Sequence, residues 1–348
     1  MEHGGDLLSY EKHYSGELVD FSSNINPLGM PKGLENVLFN SFKSLEAYPD
    51  IKYRNLKKSV ANYLKCEEEN VLLGNGAVEV INNFIILAKR VILMIPSFSE
   101  YEKRALAHGK AVQKSSYKNE QKIDLGSLED ILCEGDLLVL GNPNNPTGLR
   151  IERDILLKIY EIINIKNAYL LLDEAFYEFC PMDYDSIELF KNNNYKNVGI
   201  IRAATKFFAL PGIRLGYACA SETKVNEISK IELPWSINSL ADAAGQFIFQ
   251  DKEYIRESKR YIEVERNYLF AELNKIDGIK VYKTHANYIL IKILNWSEEV
   301  VFNFFLQKGI VVRTCFSFNG LENHIRVAIK DRRNNNKLIQ TFRELELI

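Results

Sequence analysis

The chain has 348 residues, 46% of them hydrophobic, and carries a formal net charge of −2 with both signs interspersed. That length suits one large and one smaller domain, and the near-neutral balance excludes the long-range positive field that gathers nucleic acid or anionic lipid. Five cysteines (Cys66, Cys133, Cys180, Cys219, Cys315) stand apart without a CxxC or a Cys/His cluster, which excludes a zinc site or disulfide framework by pattern. No segment approaches the roughly 20 apolar residues that span a bilayer. The first residues show no basic stretch leading into an apolar run, so a cytoplasmic protein is expected.

In chain order, the first 40 residues show no strong strand pattern and read as an arm that joins the smaller domain. Residues 41–235 alternate short apolar runs with amphipathic stretches. The runs at 91–95, 137–140, 168–172, 198–201 and 216–220 read as buried strands, and 152–164 has helical period. Strand then helix, repeated, predicts an α/β domain with a mostly parallel sheet covered on both faces. Residues 236–348 open with a long helical stretch, 239–273. The runs at 280–283, 288–293, 310–313 and 324–329 then predict a smaller α+β domain closed by a helix from about Asn334.

Ligands of such a sheet bind beyond the carboxyl ends of its strands, and four of those regions carry unusual polar groups. Leu73-Gly74-Asn75-Gly76-Ala77-Val78 is a glycine turn entering a helix, which offers free N–H groups to a phosphate. Gly141-Asn142-Pro143-Asn144-Asn145-Pro146-Thr147-Gly148 is a stiff turn bearing amides. Asp173-Glu174-Ala175-Phe176 sets a carboxylate at a strand end. Thr205-Lys206 follows another strand, with Arg214 eight residues on. Each piece alone is ordinary: a lysine near a strand end is usually a solvated one, and an aspartate there usually a helix cap.

In this order and spacing they resemble the fold-type I pyridoxal phosphate enzymes, the class I and II aminotransferase superfamily, over nearly the whole chain. The resemblance implies pyridoxal 5'-phosphate as cofactor, held as a Schiff base by Lys206, which also moves protons. It implies Asp173 at the pyridine nitrogen, Asn145 at the ring hydroxyl oxygen, and Arg214 with the N–H groups of Gly76, Ala77 and Val78 on the phosphate. Tyr101 is favoured over Phe98 as the aromatic stacked on the ring. Two positions depart from the pattern. Ala203 stands where many relatives place a phosphate-binding hydroxyl, leaving Thr205 to serve, and Phe176 stands where aminotransferases usually place a tyrosine.

The arm narrows the resemblance. His3-Gly4-Gly5-Asp6, Asp20-Phe21-Ser22-Ser23-Asn24-Ile25-Asn26-Pro27-Leu28-Gly29, Tyr48-Pro49-Asp50 and Pro234-Trp235-Ser236-Ile237-Asn238 look like the threonine-phosphate decarboxylases of cobalamin synthesis, which share the Phe at 176. Their cousins are the histidinol-phosphate aminotransferases. The resemblance implies decarboxylation of L-threonine O-3-phosphate, or a close phospho-amino acid, to (R)-1-amino-2-propanol O-phosphate and carbon dioxide. His3 and Asn24 would help bind the substrate phosphate, and Arg326 in His324-Ile325-Arg326 would grip a carboxylate, with Arg313 on the preceding strand. Tyr48 would reach the cofactor phosphate of a partner subunit, implying a homodimer with shared sites. The alternatives are histidinol-phosphate aminotransfer and a non-catalytic cofactor-binding regulator; no helix-turn-helix or basic patch supports the last.

Overall fold

The computed structural model describes residues 4–118 and 122–347. Thirteen strands, in chain order, are β1 (Val19–Asp20), β2 (Val71–Asn75), β3 (Arg90–Ile95), β4 (Ala111–Ser116), β5 (Asp136–Gly141), β6 (Tyr169–Asp173), β7 (Val198–Ala203), β8 (Leu215–Ala220), β9 (Ile279–Val281), β10 (Tyr288–Ile293), β11 (Ile310–Val311), β12 (Arg313–Thr314) and β13 (His324–Ala328). Seven of them form one sheet in the order β2-β8-β7-β6-β5-β3-β4, four form a second in the order β12-β13-β10-β9, and β1 pairs with β11.

In the large sheet, β3 to β7 run parallel with β4 at the edge, while β8 is antiparallel to both β7 and β2. The predicted strands coincide with β3 and β5 to β8 to within a residue or two, because Val, Ile and Leu runs buried on both faces are the signature of a covered parallel sheet. Two strands of this sheet escaped the sequence reading, as did the short β1 in the arm. β4 is half exposed and reads Ala-Val-Gln-Lys-Ser-Ser, an edge strand whose solvent side needs no apolar residues. β2 ends in the Gly74-Asn75 turn, and the turn signal masked the short apolar run before it.

The stretch 239–273 is two helices, Ser239–Ile248 and Lys252–Leu273, rather than one. Asp251 starts the second by accepting the Tyr254 N–H on its side chain at 2.9 Å. The first of these helices packs on Leu34–Asn40 and Arg54–Leu64, on the large-sheet side of the expected boundary at residue 236. Val312 separates β11 from β12, so one predicted strand serves two sheets. Through β11 the arm is fixed: Val19 and Asp20 pair with Ile310 and Val311, and Ala328 N–H donates to Phe21 O at 2.9 Å. Among the described residues no helix is long and apolar enough to cross a membrane, and no three metal-ligating side chains cluster.

One close approach links this framework to the site. Gly74 and Gly216 face each other across β2 and β8, and a Cβ on Gly216 would lie 2.4 Å from the Ala77 nitrogen. Glycine there lets the helix Ala77–Leu87 start against the sheet. Gly216→Ala is therefore expected to destabilise the fold by about 1–3 kcal/mol, read as a lower urea midpoint; an unchanged midpoint would contradict the tight seat.

Candidate active site

The cavity beyond the carboxyl ends of β5, β6 and β7 is lined by Ala77, Val78, Phe98, Tyr101, Asn145, Asp173, Thr205, Lys206, Arg214, Arg313 and Arg326, with Gly4, Ser23 and Asn24 from the arm. Of the predicted site residues, these come together in one place. Tyr48 lies elsewhere, 78% exposed and packed on Trp235 with ring centroids 4.6 Å apart. His3 lies outside the described residues.

Lys206 sits in the single turn of helix Ala204–Phe207 that follows β7. Its backbone is tied to the arm, for Lys206 O accepts the Asn26 N–H at 3.0 Å, while Asn26 Nδ2 donates to Phe207 O at 2.8 Å. Burial, reinforced by the Arg326 and Arg214 charges, brings the Lys206 ammonium down to about 8. The lysine is thus partly a free amine near neutral pH, the state required of a nucleophile or proton carrier.

Asp173 ends β6. Its Oδ2 accepts the Tyr101 hydroxyl at 2.6 Å and its Oδ1 the Ala175 N–H at 3.0 Å. Burial pushes this carboxyl above its usual range, and those two donors draw it part of the way back. A carboxylate placed so gains from a cationic partner.

The hydroxyl contact also corrects the ranking of the two aromatics. Tyr101 lies in the first helical turn of Ser99–Ala107, is 1% exposed, and its polar end is committed to Asp173. Phe98, the residue before that helix, is half-buried on the cavity wall and meets Tyr101 edge-on at 5.6 Å. Phe98 is therefore the better candidate for a ring face, because helix phase turns Tyr101 inward.

At one end of the cavity, Gly76 has φ of +80°, and a Cβ there would lie 2.3 Å from Arg214 Nη2. The guanidinium thus rests on a glycine turn at the start of a helix, a natural anion cradle. Gly76 N–H already donates to Gly74 O at 2.8 Å, so Ala77 and Val78, in the first turn, remain the N–H groups for a phosphate. The expected donation from Gly76 is replaced by this turn bond.

At the other end stand Arg326 and Arg313, directly opposite each other on β13 and β12 and both buried. Arg326 donates to Asn145 Oδ1 and to Ser22 O, the latter at 2.9 Å, and its Nε is buried without a partner. Arg313 donates to Thr314 O at 2.6 Å and Ser317 Oγ at 2.8 Å, and faces the Phe318 ring. Beside them Asn24 is 2% exposed with Oδ1 unpartnered. Ser23 and Phe318, both on this wall, were not singled out in the sequence. Ser23 adjoins Asn24 in the arm string, whereas nothing local marks Phe318.

Ala203 lines the cavity with no hydroxyl, and Thr205 lies beside it, half-buried. Phe176 packs edge-on against Tyr288 at 5.0 Å, while Tyr177 turns away beneath Arg202, 3.5 Å from its ring centroid.

Comparison with known proteins accords with this geometry. The family described as Aminotransferase class I and II matches residues 16–342. The chain is 38% identical, over 99% of its length and 94% of the other's, to a protein of Caldanaerobacter subterraneus subsp. tengcongensis provisionally named threonine-phosphate decarboxylase. It is 31% identical to the threonine-phosphate decarboxylase of Salmonella typhimurium, over 94% of this chain and 91% of that one. A solved histidinol-phosphate aminotransferase from Clostridium acetobutylicum superimposes with a TM-score of 0.89 at 38% identity, covering 94% of this chain and 99% of that one.

The donor set fits pyridoxal 5'-phosphate: a glycine cradle with a guanidinium for its phosphate, a buried carboxylate for its ring nitrogen, and an amine of lowered pKa for its aldehyde. The chain belongs to the class I and II aminotransferase family and is a pyridoxal phosphate-dependent enzyme.

Proposed function

We propose that the enzyme decarboxylates an O-phosphorylated amino acid, L-threonine O-3-phosphate first among them, to give (R)-1-amino-2-propanol O-phosphate and carbon dioxide in a cobalamin-type biosynthesis. The observation that carries this reading is the buried pair Arg313 and Arg326, with the Arg326 Nε donor unpartnered, on the wall of the same cavity that holds the Gly76 and Arg214 cradle. Two separate anion sites suit a phosphorylated substrate lying against a phosphorylated cofactor. Phe176 adds support, since this position lacks the tyrosine usual in aminotransferases.

In this reading the bound cofactor supplies an electron sink for the substrate Cα. Asp173 holds a proton at the ring nitrogen. Asn145 bonds the ring oxygen, Phe98 covers a ring face, and Thr205, Arg214 and the N–H groups of Ala77 and Val78 hold the cofactor phosphate. Lys206 carries the cofactor and returns a proton to Cα after carbon dioxide leaves. Arg313, Arg326, Asn24 and His3 grip the acid groups of the substrate.

Exposed Tyr48, packed against Trp235, with Phe42, Leu45 and Ile51 also exposed in the same stretch of sequence, supports a homodimer in which Tyr48 completes the partner's cofactor site. Histidinol-phosphate aminotransfer is kept as a second reading because the Clostridium acetobutylicum structure is equally similar in sequence at 38%.

Phosphothreonine or phosphoserine supplied without any keto acid is expected to yield carbon dioxide in stoichiometric turnover, followed as captured gas. Turnover only with histidinol phosphate and 2-oxoglutarate would establish the aminotransferase instead. Lys206→Ala should lower the rate roughly 10²- to 10⁴-fold or more.

The lowered Lys206 pKa fixes a pH dependence. Its neutral amine predominates above about 8, not above the ordinary 10.5. Capture of pyridoxal phosphate by the cofactor-free enzyme, followed as yellow colour, should rise through about pH 8 and level off above it; a rise continuing towards 10.5 would contradict the site. The unfolded chain binds the extra proton between these two values, so across that window this lysine's contribution to stability rises with pH.

A further inference from the structure

We propose that Glu174, which does not line the cavity, is a positioning residue: its ionised carboxylate ties together the three strand ends that carry Asn145, Asp173 and Lys206. Glu174 follows Asp173 directly, and strand alternation sends its side chain to the opposite face of the sheet. There it is completely buried.

Four donors converge on it. Oε1 accepts Asn142 Nδ2 at 3.0 Å and Ser186 Oγ at 2.5 Å, and Oε2 accepts Arg202 Nε at 3.2 Å and Nη2 at 3.0 Å. The Asn142 and Arg202 ties lead to the site. Asn142 follows β5 and opens the turn that bears Asn145; its own Oδ1 accepts the Ile151 N–H at 3.0 Å, closing that turn from the far side. Arg202 lies in β7, four residues before Lys206. Its charge also meets Asp185 at 2.7 Å, and its guanidinium lies over the Tyr177 ring at 3.5 Å. Glu174 N–H donates to Ile201 O and Asn142 N–H to Asp173 O, both at 2.8 Å, so backbone and side chain bind the same three strands.

Burial pushes the Glu174 carboxyl above its usual range and the Arg202 charge draws it back, and its four donor contacts are those that an ionised carboxylate accepts. Glutamine offers one acceptor oxygen and an NH₂ group that can only donate. Turned towards Asn142 and Ser186, the glutamine oxygen leaves its NH₂ against the Arg202 donors; turned the other way, it leaves NH₂ against Asn142. Either arrangement breaks one arm, and a buried donor without an acceptor is expensive.

The test measures pyridoxal phosphate affinity of the full chain by visible titration, together with thermal unfolding. Glu174→Gln is expected to weaken cofactor binding about tenfold or more. Val301→Ala, a core truncation distant from this network, should lower Tm while leaving cofactor affinity at the wild-type value. The double variant Glu174→Gln with Arg202→Met should recover part of the affinity, because the glutamine oxygen is then free to serve Asn142 and Ser186.

Wild-type affinity in Glu174→Gln, with only a fall in Tm, would overturn the proposal, as would a double variant that recovers nothing. If Glu174→Gln does not accumulate folded, Asn142→Ala cuts the same tie from β5 and must weaken binding; unaltered binding there also overturns it. The proposal rests on cofactor binding and not on decarboxylation, so the two fail separately.

Discussion

Four cationic side chains, Lys206, Arg214, Arg313 and Arg326, face one cavity in which Asp173 is the carboxylate among the lining residues. Burial disfavours the lysine's charge most, the Arg326 and Arg214 charges add to that, and the lysine, the one that can shed its proton, yields. Its lowered pKa and its reactivity therefore have one origin. The excess of positive charge makes the cavity receptive to anions. A net charge of −2 for the whole chain conceals this arrangement entirely.

The fold supplies these groups from unrelated places. Parallel strands β5, β6 and β7 end together, which is why the 142–148 turn, Asp173 and Lys206 meet. Antiparallel β8 begins at the same rim, so Arg214 stands just before it. The arginine pair arrives on the second sheet, and contacts across the cleft hold it in place: Arg326 donates to Asn145 Oδ1, and Tyr288 donates to Asn144 O at 2.7 Å. The arm bridges both sides, bonding Lys206 O through Asn26 and Arg326 through Ser22 O. Thus the site is built from both sheets and the arm.

Much of this was legible in the sequence where a residue's role is local. Strands buried on both faces announce themselves by composition, and polar residues at their ends mark the rim. What escaped depended on phase or on through-space partners. The edge strand β4 carries no apolar alternation. Tyr101 and Phe98 cannot be ranked until the helix start at Ser99 fixes which of them turns inward. The N–H of Gly76 is lost to a turn bond with Gly74, a contact that composition does not encode. Glu174 drew attention only as the neighbour of Asp173, because its four donors come from 142, 186 and 202 and meet only in three dimensions.

Phe176 places no phenol on the cavity wall, and the hydroxyls of nearby tyrosines point to other partners. Tyr101 gives its hydroxyl to Asp173, Tyr288 gives its own to Asn144 O, and Tyr177 lies under Arg202. Asn145 is the amide that faces the cavity, and its orientation is not arbitrary. Arg326 has only donors, so the Asn145 oxygen must face it. The NH₂ group is then left to donate elsewhere in the cavity, where it would be available to an acceptor of a bound cofactor. Arg326 on the second sheet thereby sets which way the Asn145 amide is turned in the cavity, coupling the two sheets through one side chain.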